Sequence, residues 1–428
     1  MLYEVNQDAL RYEMEHLGVS KPSVAIMLGK GKITPLKLLH VRTPAANIIK
    51  QEMLAAGGDC ATPGAAVTCA VPRVDILLLG STKHYKTLLY KLKQMPYFSI
   101  PDIAAELERY LATVPKCTLL ADGRVLRYDS VKVMGIINVT PDSFYAGSRK
   151  NSLDAVLKQA EQMLAEGAAV LDIGGESTRP GSDPVSAEEE RERVLPAVTA
   201  IKKFFPEAVI SVDTYRAALA REALECGSDI INDISAMTAD GAMIDVVTET
   251  KAPIILMHRK GTSKDMQQQC EYINVVQEVT EYLLGRAGLL AERQIGADKI
   301  ILDPGIGFAK SDEQNLRLIQ NLNALTVNAY PVLMAASRKT TIGNVLGKEA
   351  AAGQRAAGHA AKMEIASCKA ATNGNPCDAI TPLPPEERLE GTLAMTAAAV
   401  YAGASLVRVH DVKENVRLIR MLEAIRKV

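Results

Sequence analysis

From Val131 onward the chain alternates short β-branched apolar runs with longer stretches rich in Ala, Glu, Leu and Lys. The runs are VKVMGIINVT (131–140), AVLDIGGES (169–177), VISVDT (209–214), DIINDIS (229–235), PIILMH (253–258), KIILDPG (299–305), PVLMAASR (331–338) and SLVRVHD (405–411). Each is nearly continuously apolar, as a parallel strand covered on both faces should be, and each precedes a segment of helical composition. Eight βα units predict a closed (β/α)₈ TIM barrel, which leaves no edge strand, whereas an open doubly wound sheet of that size keeps two. Each run ends in an Asn, Asp, Glu, Ser, Arg or His. Such residues face the loops at the C-terminal mouth, where groups distant in sequence converge on one pocket.

The first 125 residues follow a different pattern. VAIMLG (24–29) and VDILLLG (74–80) are expected to be strands, and PAANIIKQEMLAAG (44–57) and KTLLYKLKQM (86–95) amphipathic helices, forming a small α/β domain. The turn at Asp122-Gly123 reads as a hairpin leading into the barrel. The expected division is thus an N-terminal α/β domain over 1–125 and a barrel over 126–428. A surface excursion over 347–385 is too long for an ordinary βα loop.

At 428 residues the length suits one barrel of about 250 residues plus a smaller unit. A net charge of −1 provides no field for nucleic acid or an anionic membrane, so a small-molecule substrate is expected. No apolar run approaches the roughly 20 residues of a membrane span. The seven cysteines form no CxxC pair and no signal peptide is evident, which reads as reduced thiols and a cytoplasmic protein.

The strand-end motifs are INVTPDSF (137–144), GGESTRPG (174–181), SVDTYRA (211–217), NDIS (232–235), LDPGIGFAKS (302–311), SRKTTIG (337–343) and RVHD (408–411). In this order they closely resemble the dihydropteroate synthases, over about Val131 to Val428. The resemblance implies a (β/α)₈ fold, Mg²⁺ dependence, a homodimer, membership of a class of sulfonamide targets, and the joining of 6-hydroxymethyl-7,8-dihydropterin diphosphate to p-aminobenzoate with loss of pyrophosphate.

A pterin presents a row of donors and acceptors that a buried site must match or leave unpaired at a cost of a few kcal/mol. Asp213, Asn232 and Asp303 match the family's pterin-binding positions, and Lys339 the lysine that contacts the ring. Met257 and His258 end a strand at the same mouth, where they either line the pterin pocket or pack; Met257 is taken as a pterin contact. Arg408 and His410 alternate on the last strand and so share one side, suited to the diphosphate; the alternative for Arg408 is a buried ion pair with a neighbouring Asp. By resemblance Arg179 is a further phosphate contact, and Asn138 brings in Mg²⁺ through its side-chain oxygen. For p-aminobenzoate, Phe144, Pro180 and Phe308 form an apolar slot, Thr178 orders the closing loop, and Thr340, at an expected helix start, receives the carboxylate. Catalysis is assigned to Lys339, Asp213, Asp303, Arg408 and His410. Pyrophosphate is expected to leave first or nearly so, giving a cation delocalised over the dihydropterin that the aniline nitrogen captures, with no protein nucleophile.

Departures from the family's pattern are SFYAGSRK in the first loop and the excursion 347–385. Two other readings stand beside the synthase: a corrinoid methyltransferase that grips methyltetrahydrofolate with a similar Asp/Asn/Asp set, and a non-catalytic pterin-binding scaffold. In the N-terminal domain, PRVDILLLG faintly echoes a motif of the hydroxymethyl-dihydropterin pyrophosphokinase. Asp75 there lacks the second carboxylate that Mg²⁺-ATP needs, and GKGK (29–32) is too short for a P-loop. An oligomerisation or regulatory role is the default expectation.

Overall fold

The computed structural model describes residues 2–3, 5–112, 114–139, 149–176, 185–261, 266, 269–347 and 382–427. They divide into two compact units, Met1–Val114 with Arg426–Val428, and Pro115–Ile425.

In the first unit, strands β1 (Ile33–Arg42), β2 (Asp59–Ala61) and β3 (Arg73–Ser81) form an antiparallel sheet in the order β1-β3-β2. VDILLLG is the central strand, and the two expected helices form as Thr43–Ala55 and Thr82–Leu92. VAIMLG is not a strand: it lies within the helix Lys21–Gly31. Ser20 caps that helix by accepting from Ser23 N, Pro22 stands in its first turn, and only Val24 is buried. GKGK is accordingly the end of this helix and its C-cap. The strand that follows, β1, was hidden in the sequence by Pro35, Lys37 and His40. An edge strand tolerates Pro35. A register shift between Leu38 and Val41 puts His40 at φ 53°. Asp75 holds that irregularity, accepting from His40 N at 3.0 Å and pairing with Lys37 at 3.2 Å, so its role here is local structure.

The second unit opens with a hairpin, β4 (Cys117–Leu119) and β5 (Val125–Arg127), turning at Asp122 and Gly123, whose φ of 88° only glycine adopts readily. Eight parallel strands follow: β6 (Lys132–Asn138), β7 (Val170–Gly174), β8 (Ile210–Asp213), β9 (Ile230–Asp233), β10 (Ile254–Met257), β11 (Ile300–Asp303), β12 (Leu333–Met334) and β13 (Leu406–Val409). Their order, β11-β10-β9-β8-β7-β6-β13-β12, is joined end to end by a parallel bridge between Leu302 and Val332. All eight expected runs are strands of this barrel.

The strands read as continuously apolar because both their faces are buried, yet the faces differ. Alternate residues such as Val133, Ile137, Leu171, Ile173, Val212 and Ile231 pack with the surrounding helices in the large core. The intervening ones start, at the N-terminal ends, with a layer of Met134, Val170, Ile230, Ile255, Ile301, Leu333 and Leu406. Leu120, Leu126 and Tyr128 of the hairpin segment pack onto this layer and close that end. Arg124 fastens the plug, donating to Asp229 at 2.7 Å and to the Glu207 carbonyl at 2.8 Å. The hairpin thus belongs to the barrel unit, and the division falls at Val114/Pro115 instead of residue 125. With one end filled by apolar side chains, the polar residues further along the same faces collect at the other.

Candidate active site

Following those faces toward the C-terminal ends, period-two geometry brings up Asn138 on β6, Asp172 on β7, Asp213 on β8, Asn232 on β9, Met257 on β10, Asp303 on β11 and Arg408 on β13. Register places Asp213 beside Asn232 and Met257 beside Asp303. Most are deeply buried, with Asn232 3 % and Asp303 2 % exposed, whereas Asn138 is exposed.

An ion-pair network spans the barrel. Arg408 donates from Nε to Asp172 Oδ2 at 2.5 Å and from Nη2 to Asp213 Oδ2 at 2.8 Å. Asn232 Nδ2 lies 3.3 Å from both oxygens of Asp172. Burial works against the Arg408 charge, but Asp172 and Asp213 outweigh it and raise its pKa. The buried ion pair considered for Arg408 therefore exists, and it orients two of the guanidinium's nitrogens. Burial pushes the Asp213 carboxyl up to about 7, with Arg408 pulling it down and Asp172 pushing it further up. Burial likewise pushes Asp303 up to about 6, opposed by the Gly305 N–H and by Lys339. That N–H donates to Asp303 Oδ1 at 2.7 Å.

Lys339 follows β12 in a turn, its ammonium 4.3 Å from the centre of the Phe308 ring. Phe308 is buried in a small cluster with Met257, Ile234 and Met266, with Tyr215 packed against it. The Lys339 backbone is set by its neighbour: Arg338, at φ 56°, makes a two-pronged pair with Asp411 at 3.0 and 2.5 Å. Thr340 is exposed and starts the helix 340–347, as its sequence context suggested. His410 N donates to Ser337 Oγ at 3.2 Å, and that hydroxyl lies 3.1 Å from His410 Nδ1. The two contacts tie His410 to Ser337 across the neighbouring strands β12 and β13. His258 packs: it is 2 % exposed, edge-on to Tyr282 at 4.9 Å, and hydrogen-bonded to Lys310. Phe144, Thr178, Arg179 and Pro180 lie outside the described residues.

Asp172 and Ser337 were missed. Asp172 is a charged residue in the middle of the apolar run AVLDIGGES, two positions before Gly174 and so on the same strand face; that spacing was the available signal. Ser337 carried no signal of its own.

Residues 134–410 match the family model described as "Pterin binding enzyme". A dihydropteroate synthase of Synechocystis is 37% identical over 293 residues, covering 68% of this chain and 89% of that one. The chain belongs to the dihydropteroate synthase family. A second relative, the bifunctional dihydropteroate synthase/dihydropteroate reductase of Helicobacter pylori, is 32% identical over 423 residues, 98% of each chain, and so also spans the first unit. The solved Xanthomonas albilineans dihydropteroate synthase with 4-aminobenzoic acid superposes with a TM-score of 0.61 at 32% identity, covering 74% of this chain and all of that one. These relatives side with the synthase over the corrinoid methyltransferase, and the eight-stranded barrel of a folate-pathway enzyme is the frame for the mouth described above.

Proposed function

We propose that the barrel mouth binds 6-hydroxymethyl-7,8-dihydropterin diphosphate by its ring edge and condenses it with p-aminobenzoate, giving 7,8-dihydropteroate and pyrophosphate. The observation that carries this reading is the row of buried and half-buried polar side chains toward the C-terminal ends of the barrel strands, Asp172, Asp213, Asn232, Asp303 and Arg408. Packing alone would favour apolar residues there, as at the plugged end, and burying charge costs several kcal/mol per ion before pairing. A flat heterocycle rich in donors and acceptors repays such a row.

In this reading Asp213, Asn232 and Asp303 take the ring and exocyclic N–H groups, and Lys339 donates to ring acceptors. Met257 and Phe308 supply the apolar walls. Arg408, fixed by Asp172 and Asp213, and His410, tied to Ser337, face the diphosphate. As the C–O bond to the diphosphate breaks, negative charge grows on the departing oxygens, and these preoriented donors stabilise it more than the ground state. The cation left on the dihydropterin methylene is captured by the aniline nitrogen, which then loses a proton. Phe144, Thr178, Pro180 and Thr340 are assigned to p-aminobenzoate, and Arg179 to phosphate, on their matching places in the motifs.

Among the described residues no three His, Cys, Asp or Glu side chains gather as a metal cluster. The donors at the mouth suit an ion that keeps most of its water: Asn138 Oδ1 and Asp213 Oδ2 each lie 3.9 Å from where a Cβ on Gly174 would stand. Asn138 would hold Mg²⁺ there, and bound Mg²⁺ would neutralise diphosphate charge.

Formation of dihydropteroate by the full chain, followed by mass, and its inhibition by a sulfonamide competitively with p-aminobenzoate test the assignment; product formation from the pterin alone, or none at all, contradicts it. A homodimer and a cytoplasmic location belong to the same reading; no helix among the described residues is long and apolar enough to cross a membrane. The alignment with the Helicobacter pylori relative through the first unit favours a second activity as well, reduction of dihydropteroate. Oxidation of a reduced nicotinamide or flavin on addition of dihydropteroate tests it. An oligomerisation or regulatory role for that unit is the alternative.

A further inference from the structure

A second buried charge lies behind the candidate site, and the reaction as described does not use it. Lys310 is 3 % exposed. Its ammonium shares its three N–H groups among four acceptors, the carbonyls of Phe308 at 2.9 Å, Gly305 at 3.0 Å and His258 at 3.4 Å, and His258 Nδ1 at 3.0 Å. Three residues of the intervening loop take left-handed conformations, Gly305 at φ 68°, Gly307 at 83° and Ala309 at 52°. The chain is thereby wound so that its carbonyls point inward at one cation. Gly305 is required for this: a Cβ there would stand 2.0 Å from the His258 carbonyl oxygen. Asn315 is a second strut, accepting from Gly307 N at 2.8 Å and donating to Thr341 Oγ1 at 3.0 Å, in the helix that follows Lys339.

We propose that Lys310 is a positioning residue for the pterin: its ammonium is the template for the loop 304–309, and through that loop it sets Asp303 and Phe308. The link to Asp303 is the Gly305 N–H, and the link to Phe308 is that residue's own carbonyl. The inference rests on the pterin reading above. A purely structural loop would be held at lower cost by an apolar side chain, because burying an ammonium carries a desolvation penalty that carbonyls only offset. Burial accordingly pulls Lys310 down to about 7, against the pull of Asp303. The same burial holds His258 near 2, so it is neutral and its Nδ1 is available as an acceptor.

The test uses the full chain with Lys310→Met, and Lys116→Met as a matched control. Lys116 is another barrel lysine with a strongly lowered pKa, donating to the Thr326 carbonyl at 2.6 Å. Binding of the pterin diphosphate with Mg²⁺ is measured by calorimetry without p-aminobenzoate, and KM and kcat by pyrophosphate release. Lys310→Met is expected to weaken pterin binding and raise the pterin KM by about tenfold, with a smaller change in kcat, from the loss of hydrogen bonds that set a buried carboxylate. Lys116→Met is expected to lower the thermal midpoint and leave the pterin KM within about twofold, since its contact sets no pterin ligand. Pterin affinity unchanged in a folded Lys310→Met overturns the proposal, as does an equal loss in the control. Should Lys310→Met fail to fold, His258→Phe keeps the ring against Tyr282 and removes one acceptor; a pterin affinity equal to the parent's overturns the proposal, and a loss of about threefold supports it. A parent chain that binds the pterin but releases no pyrophosphate with p-aminobenzoate refutes the reaction and leaves the Lys310 comparison standing on binding; a parent that binds no pterin refutes both.

Discussion

Replacing Asp172 by Asn keeps the side chain's size and removes the charge at the centre of the barrel network. Asp172 is fully buried, with Arg408 Nε at 2.5 Å and Asn232 Nδ2 at 3.3 Å. Removing one partner of a buried ion pair costs about 3–5 kcal/mol. Asp213 still pairs with Arg408 at 2.8 Å, and the Asn amide oxygen still accepts, so the low end, about 3 kcal/mol, applies. At about 2–4 °C per kcal/mol for a domain of this class, the barrel's thermal midpoint should fall by about 6–12 °C. The catalytic effect is separate. Arg408 exchanges the charged acceptor that orients Nε for a neutral amide oxygen, and since one preoriented donor to a developing oxyanion is worth about 10²–10³ in rate, the loss should approach that range. Calorimetric melting and pyrophosphate release on the same preparation read the two effects. A midpoint within about 1 °C of the parent would mean the network carries little of the fold's stability. A kcat/KM within about threefold would refute the claim that Asp172 orients Arg408 for the diphosphate.

The acid limb of pterin binding should lie between pH 6 and 7, because burial raises Asp303 to about 6 and Asp213 to about 7 and the pterin N–H groups need the ionised carboxylates; calorimetric titration from pH 5 to 8 should show affinity rising through that window, and a flat profile contradicts it. The sign for stability is opposite: both folded pKa values exceed the unfolded ones, so their contribution is fully present below about pH 4 and is lost as pH rises through 6 to 7, which urea melts of the ligand-free protein measure. Gly305→Ala meets a carbonyl 2.0 Å away at φ 68° and should destabilise by well over the about 1 kcal/mol of a tolerated Gly→Ala change, with a raised pterin KM; a neutral substitution would show that the loop is not wound as described. Removal of residues 1–114 leaves the plugging hairpin in place and should preserve pyrophosphate release, whereas removal of 1–128 strips Leu120 and Leu126 from the closed end and should abolish folding by circular dichroism; equal behaviour of the two truncations contradicts the plug.

The barrel was legible because its two-sided strands leave a strong signal: short, nearly unbroken apolar runs, each closed by a polar residue. The site was legible where a polar residue ended a run, as at Asp213, Asp303 and Asn138. It was not legible where the polar residue sat within one, as at Asp172, because motif boundaries drawn at Gly174 cut it off from its strand. Lys310 stood inside a quoted motif without a role, since nothing in sequence says that a lysine's ammonium is enclosed by its own loop's carbonyls. In the first unit, continuous apolarity misled: VAIMLG has strand composition but starts from Ser20 and Pro22, a helix opening. Strand β1, interrupted by Pro35, Lys37 and His40, is held by pairing to β3 and by Asp75 from across the sheet, and such non-local support cannot be read from a window of sequence.

Release of pyrophosphate by the intact chain, supplied with 6-hydroxymethyl-7,8-dihydropterin diphosphate, p-aminobenzoate and Mg²⁺, tests the central claim most directly, with Lys339→Ala as the control. The account predicts release that needs both substrates and falls by at least about 10² in the control, since a cation at the pterin ring is lost. No release by the intact chain, or release that is indifferent to Lys339, contradicts it.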